Sequence, residues 1–437
     1  MKRYLARLPG YTNWEKISST ATFRHSLVTF IGTVINGGLG AAFYIVVARF
    51  LGPSTYGLLS VSLVTLTLVS DIGDLGTSTG LVRFVGKYVY SEPGKAYRFL
   101  KLGLKIKLFV GLFIMILGWI FAPYIAGVIF SKVELTTPLR IAFIGSAGYL
   151  LFTFATSVLQ ALQRFWAWSG LQIASNGLRL ILVILIFYLG FLGVNSALIL
   201  NTVLAYLGFL VSILLLLPKG FIKVNNENSV AKELFHYNKW VTLFAAVSAI
   251  GARLDTFISA RLLTAVEIGI YAAASQLVQI VPQIVVAIST VVAPRMAGMG
   301  DIKALLSYMK KVQIMVLGLA FLGLASIPVV IYIIPLLYGN AYLESIPAFI
   351  ILLIGMLAFT ISIPVHNSIF YYFSYPKFFF FLSVAHLLLV AILGFTFIPI
   401  YGVIGAALTF SIGQIFNFIV PTIWFLRKIH HPQITIQ

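Results

Sequence analysis

The sequence predicts an all-α integral membrane protein. It should have about twelve transmembrane helices in two parallel six-helix lobes, related by a pseudo-twofold axis along the membrane normal. Three observations predict this: the composition, the alternation of charge between loops, and an internal repeat.

Of 437 residues, 60% are hydrophobic and 9% charged, and the mean hydropathy is +1.03. A soluble domain carries roughly 25% charged residues, so lipid must be the solvent of this chain. One span takes about 20 apolar residues, which leaves room for about a dozen with short loops. The net charge of +19 would suggest nucleic acid in a soluble protein. In a membrane protein, basic residues gather in cytoplasmic loops, and no nucleic-acid partner is expected. The chain has no cysteine, which excludes disulfides, thiolate metal sites and a cysteine nucleophile. The first 20 residues are polar and basic, with no short apolar core or small-residue cleavage site to make them a signal peptide. They suit an interfacial amphipathic helix, with Tyr11 and Trp14 at headgroup depth.

The expected spans are 25–48, 57–82, 104–126, 138–162, 169–190, 195–217, 241–262, 267–293, 312–336, 345–371, 378–399 and 401–426. Residues 1–217 then form an N-terminal lobe, 218–240 a cytoplasmic linker and 241–437 a C-terminal lobe. Most of the 30 basic residues fall in alternate loops, on the side that holds both termini and the linker. The positive-inside rule makes that side cytoplasmic. An even number of spans agrees with termini on one side.

Arg49 to Gly57 reads ArgPheLeuGlyProSerThrTyrGly, and 212 residues later Arg261 to Gly269 reads ArgLeuLeuThrAlaValGluIleGly. At the same offset Arg83 meets Arg295. Further along, Pro138 meets Pro347, Gly193 meets Gly402 and Ala197 meets Ala406, each at an offset of 209. Six spans per repeat is an even number, so both halves insert with the same orientation and enclose a central cavity.

Ionisable groups inside a span cost roughly 2.5–3.5 kcal/mol each and mark a pathway or an ion pair. Asp71 and Asp74 lie near the middle of the second span on one helical face. Gly73, Gly76 and Gly80 allow a bend or break there. Arg253 and Asp255 lie near the middle of the seventh span, about 200° apart on a helix, so each needs a partner elsewhere. Asp71 or Asp74 would suit Arg253, and Arg179 in the fifth span is a further candidate partner. The set Asp71, Asp74, Arg179, Arg253 and Asp255 either lines a hydrated cavity or forms a structural ion-pair network. In a cavity, the arginines would hold a phosphate or pyrophosphate. The acids would take a coupling cation, a proton or sugar hydroxyls. Arg83 and Arg295, at the cytoplasmic interface, are topology anchors or captors of headgroup phosphate.

The runs at 49–57 and 74–84 (AspLeuGlyThrSerThrGlyLeuValArgPhe) carry a family resemblance, together with 253–258 (ArgLeuAspThrPheIle), 267–276 and 401–407. Over essentially its full length the chain resembles the Wzx-type polysaccharide-export flippases of the multidrug/oligosaccharidyl-lipid/polysaccharide exporter superfamily. The resemblance implies two six-helix lobes and a cavity lined mainly by spans 1, 2, 7 and 8. It also implies movement of an isoprenoid-linked oligosaccharide from the cytoplasmic to the outer leaflet of the cell membrane. Asp71, Asp74, Arg253 and Asp255 fall on those cavity spans; Arg179 does not. The expected partners are membrane lipids, a lipid-(pyro)phosphate-linked oligosaccharide and glycan-assembly enzymes. No cofactor or resident metal is expected beyond a coupling ion, Na+ or H+. A cation-coupled drug or small-solute exporter shares the fold and is the first alternative. A membrane glycosyltransferase is the second, disfavoured by short external loops and by the lack of any role for a repeat in such chemistry.

Overall fold

The computed structural model describes residues 21–375 and 377–430. The interfacial helix expected around Tyr11 and Trp14 lies outside the described residues. Those described are overwhelmingly helical, with no strand among them. This follows from the solvent: in lipid every backbone group must find its partner internally, and a helix satisfies its own.

In chain order the helices begin with α1 (Ala21–Gly73), α2 (Thr77–Tyr88), α3 (Pro93–Tyr124), α4 (Thr136–Ala161), α5 (Phe165–Tyr188) and α6 (Val194–Val211). After the linker come α7 (Ala231–Gly251), α8 (Leu254–Leu262), α9 (Ala265–Val278), α10 (Ile280–Ala297), α11 (Ile302–Ala325) and α12 (Ile327–Tyr338). The last are α13 (Ser345–Ile361), α14 (Ile363–Asn367) and α15 (Lys377–His430). Among the described residues eight helices are long and apolar enough to cross a membrane, and two bent pairs, each counted as one span, bring the number to ten.

Two of the eight are far too long for one crossing. The helix α1 has 53 residues and α15 has 54, about 80 Å each at 1.5 Å per residue, against a hydrocarbon core of about 30 Å. Each is interrupted by one glycine with positive φ, Gly52 (φ 74°) in α1 and Gly402 (φ 57°) in α15. Counting each as two segments raises ten to twelve. The loop expected at 49–56 is therefore reduced to a hinge. Gly52 adopts a backbone that L-residues avoid, and Pro53, which needs no N–H partner, starts the next segment.

The second expected span is not continuous either. It breaks after Gly73, where Leu75 (φ 49°) and Gly76 (φ 66°) both turn left-handed, and resumes as α2. The seventh breaks between α7 and α8 with a 42° bend. These two breaks position the candidate site.

At the Gly52 end of the bundle the two sequence halves meet backbone to backbone. A Cβ on Gly57 would lie 2.0 Å from the Ala265 carbonyl oxygen. A Cβ on Gly269 would lie 1.9 Å from the Pro53 carbonyl oxygen. The 212-residue offset carries Pro53 to Ala265 and Gly57 to Gly269, so exchanging the halves turns each contact into the other. Two further pairs follow the same rule. Arg49 donates to the carbonyl oxygens of Leu336 and Leu337, and its counterpart Arg261 donates to those of Val128 and Ile129. Each guanidinium thus satisfies terminal carbonyls of a helix in the other half. The Ala48 carbonyl accepts from the Tyr342 hydroxyl at 2.8 Å, and the Ala260 carbonyl, 212 residues on, accepts from the Lys132 ammonium at 2.8 Å. Both alanines are fully buried.

At the opposite end the linker is shorter than the expected 218–240, because α7 already starts at Ala231. Two short 3-10 turns, Lys219–Lys223 and Glu227–Val230, make the connection. The side chain of Glu227 is 9% exposed and pairs with Lys105 and, at 3.5 Å, with Lys101. Lys101 also donates to the Val224 carbonyl at 2.6 Å. The hydrogen bond from Lys105, with one from its own backbone and the charge of Lys101, holds the Glu227 carboxyl down to about 2. Helix α7 is tied to α3 in the same way, by Lys95–Glu233 at 3.0 Å.

Two outcomes are expected. A side chain at Gly57 or Gly269 has backbone on its far side and cannot be accommodated by a rotamer change; overpacking of this kind costs roughly 1–3 kcal/mol or more. Because the chain has no cysteine, an Ala260→Cys reporter is free of background. It should be inert to a membrane-impermeant thiol reagent alone and become reactive when combined with Gly57→Val. The Glu227 carboxyl is depressed on folding, so its contribution is complete above the ordinary value of 4.5 and is lost as pH falls toward 2. Pepsin should therefore cut the linker more slowly in wild type than in Glu227→Gln at pH 4, and the ratio of the two rates should approach one as pH falls toward 2.

Candidate functional site

A cavity of about 470 Å³ opens between the two broken spans. Its wall from α1 and α2 presents Ser70, Asp71, Asp74 and Ser78, and α4 adds Thr153. Facing them, α7 and the joint before α8 present Ser248 and Arg253 beside the small Ala245 and Ala249. The break at Gly73–Thr77 turns the Asp71 and Asp74 region inward. The break at 252–253 leaves Arg253 at the joint rather than on a regular helical face.

Asp71 and Arg253 form an ion pair across the cavity at 3.0 Å, with side chains 43% and 28% exposed. Asp74 is held quite differently. Its Oδ1 accepts from the Lys107 ammonium at 2.5 Å and from the Ser78 hydroxyl at 2.5 Å, and its Oδ2 accepts from the Ser78 backbone N–H at 3.1 Å. Lys107 is fully buried and also donates to Ser78 at 2.9 Å and Thr153 at 3.0 Å. An ammonium has three donors, so Lys107 has none left for a ligand.

The other expected residues lie elsewhere. Arg179 does not line the cavity; it donates to Asn201 at 2.9 Å and lies over the Phe43 ring at 4.2 Å. Asp255, two residues after Arg253, points away from the cavity. It accepts from the Tyr271 hydroxyl and borders a separate void of about 20 Å³ with His386 and Gln414. Arg83 is exposed with its guanidinium 4.5 Å over Tyr237, and Arg295 is exposed on α10. No cluster of three metal-ligating side chains occurs among the described residues.

Sequence reasoning missed Lys107, which lies at the start of the expected span 104–126, where a lysine ordinarily snorkels to the interface. The signal was present: Ile106 and Leu108 flank it, and the apolar run continues beyond. The structure extends α3 back to Pro93, so Lys107 falls well inside a helix.

A family model described as "Polysaccharide biosynthesis protein" matches residues 23–299, well over half of the chain. The chain belongs to the polysaccharide biosynthesis protein family. No curated protein matches it closely enough in sequence to count as a relative. Solved structures place this family member's fold. The lipid II flippase MurJ in an inward closed conformation aligns with a TM-score of 0.72 at 19% identity, over 92% of this chain and 87% of that one. An inward-facing multidrug resistance MATE family transporter of the MOP superfamily aligns with a TM-score of 0.68 at 14% identity, over 91% and 96%. An outward-facing MATE family transporter reaches 0.59 at 16% identity, over 93% and 94%. The chain thus shares the multi-pass helical fold of these solved structures.

The two ion pairs should respond differently to truncation. Asp74→Ala strands a fully buried ammonium and should destabilise the fold by about 3–5 kcal/mol. Asp71→Ala, beside a half-exposed partner open to the cavity, should cost no more than about 1 kcal/mol. Thermal unfolding of the purified variants in detergent measures both.

Proposed function

We propose that the chain is a flippase that carries an isoprenoid-linked oligosaccharide from the cytoplasmic to the outer leaflet of the cell membrane. It would work by alternating access between two parallel six-helix lobes, residues 1–217 and 241–437, joined by the linker. The observation that carries this reading is Arg253 at the helix joint, presented into a cavity of about 470 Å³. That volume lies in the usual range for ligand sites. A guanidinium is the group best suited to grip a phosphate through paired hydrogen bonds. Ser70, Ser78, Thr153 and Ser248 around it suit sugar hydroxyls, and the family to which the chain belongs is one of polysaccharide biosynthesis.

Orientation follows from charge. The linker end carries Lys219, Lys223 and Lys232 together with Arg83, Lys87 and Lys95, which by the positive-inside rule is the cytoplasmic side. The backbone seam at Gly57 and Gly269 is then the outer gate, in its closed state. The termini fall on the cytoplasmic side, where glycan-assembly enzymes would deliver the cargo.

One observation favours a second reading. Asp71 is the most exposed charge of the two cavity ion pairs, as a cation exporter would require. Reconstituted vesicles separate the two. Wild type should speed transfer of a labelled lipid-linked oligosaccharide between leaflets, and Arg253→Ala should slow it at least tenfold while inserting normally. Transport of a cationic dye without transfer of the oligosaccharide would establish the exporter instead.

A further inference from the structure

The two ion pairs of the cavity are not equivalent, and the difference has a chemical consequence. Asp74 and Lys107 saturate one another with Ser78 and Thr153 and are closed to exchange. Asp71 and Arg253 make a single contact across open space. Among the described residues no second hydrogen bond holds the Asp71 carboxylate. A guanidinium carries five N–H donors, and Asp71 engages Arg253 through Nη2.

We propose that Asp71 is a built-in stand-in for the cargo's phosphate, and that displacing it from Arg253 obliges Asp71 to take up one proton. This inference rests on Arg253 as the phosphate site. A phosphate offers two or three oxygens to the guanidinium fork where Asp71 offers one contact, so it competes well for Arg253. The displaced carboxylate then has no replacement cation. Arg179, from α5, is engaged by Asn201 and by the Phe43 ring. Lys107, from α3, is saturated by its three acceptors. The remaining titratable groups near Asp71 are Tyr149 on α4, whose phenol offers no positive charge, and Asp74, a carboxylate one turn away on its own span. Asp71 is then left among negative charges alone, the bound phosphate and Asp74, with no cation in contact, and a proton that enters through the open cavity neutralises it.

The charge balance follows. Asp71, Asp74, Lys107 and Arg253 sum to zero in the empty cavity. The bound phosphate adds its own negative charge, and the proton on Asp71 removes one unit of it. When Asp71 gives up that proton it reclaims Arg253, so release of the cargo and restoration of the ion pair are one event.

The test uses the full-length protein in detergent with farnesyl diphosphate as the probe, titrated calorimetrically in buffers of different ionisation enthalpy at a pH where the diphosphate is fully ionised. Wild type should take up about one proton per diphosphate bound. Asp71→Asn, which lacks the competitor, should take up none and bind at least tenfold more tightly. Asp71→Ser, monodisperse on gel filtration, serves as the second variant should Asn disturb folding, and should show the same loss of proton uptake. Equal proton uptake in wild type and both variants, or weaker binding by them, overturns the inference while leaving Arg253 as a phosphate site. Absence of binding in all three overturns the phosphate reading and this inference with it.

Discussion

Two helices can approach until their backbones touch only where neither carries a side chain at the crossing. Gly57 and Gly269 supply that condition, and the carbonyls of Ala265 and Pro53 occupy the space their side chains would fill. The contact is self-complementary under exchange of the two sequence halves. It behaves like the isologous interface of a homodimer, in which one favourable solution is used twice. Such a contact fixes where the axis runs, because each half must present the same surface to the other. Arg49 and Arg261, and the carbonyls of Ala48 and Ala260, then fall into paired positions around it. Backbone carbonyls serve as acceptors throughout, so the pairing survives even where the side chains have diverged to Tyr342 on one side and Lys132 on the other.

The charges of the cavity break this symmetry. At the 212-residue offset Asp71 and Asp74 correspond to Gln283 and Val286, and Arg253 to Ala41. None of the three has a charged counterpart. A structural network needed to hold two equivalent halves together would be expected twice, as the seam is. The cavity charges, each costing several kcal/mol to insert, are present once. The cavity therefore has one chemical face on spans 2 and 4 and another on span 7, within a scaffold that treats the halves alike.

How much of this was legible in the sequence differs by feature. The apolar runs fixed the helical membrane class, because lipid leaves the backbone no alternative. The repeat at Arg49–Gly57 and Arg261–Gly269 was readable as text, but its meaning was not: nothing in the letters says that those two glycines touch. Gly76 announced the break in span 2, since glycine readily takes the left-handed turn seen there, whereas Leu75, which shares that turn, gave no such sign. Lys107 escaped because a lysine near the end of a span usually snorkels to the interface. Only the three-dimensional neighbours Asp74, Ser78 and Thr153 make burial affordable. Arg253 and Asp255 do lie on different sides, but a helix break at Arg253 separates them rather than the 200° of a continuous helix. That one would border the shared cavity and the other a small void beside His386 depends on the packing of distant spans, which local periodicity does not encode.

That last separation bears on how the site can move. Asp255 lies in the first turn of α8, where the helix dipole favours a carboxylate, and it is 5% exposed with Tyr271 donating to it. It anchors the segment beyond the break to α9. Arg253, two residues earlier, sits at the joint with half-open surroundings and one cross-cavity contact. Toward the linker end, α7 packs on α2, with Gly76 against Val241 and Gly80 against Asn238. The break thus lies between two firmly packed segments, one clasped to α9 and one to α2. Bending at 252–253 changes the angle between those segments, and Arg253 is the charged side chain at the point where that change is largest. The proposed phosphate site would thus sit at the bend of span 7 itself.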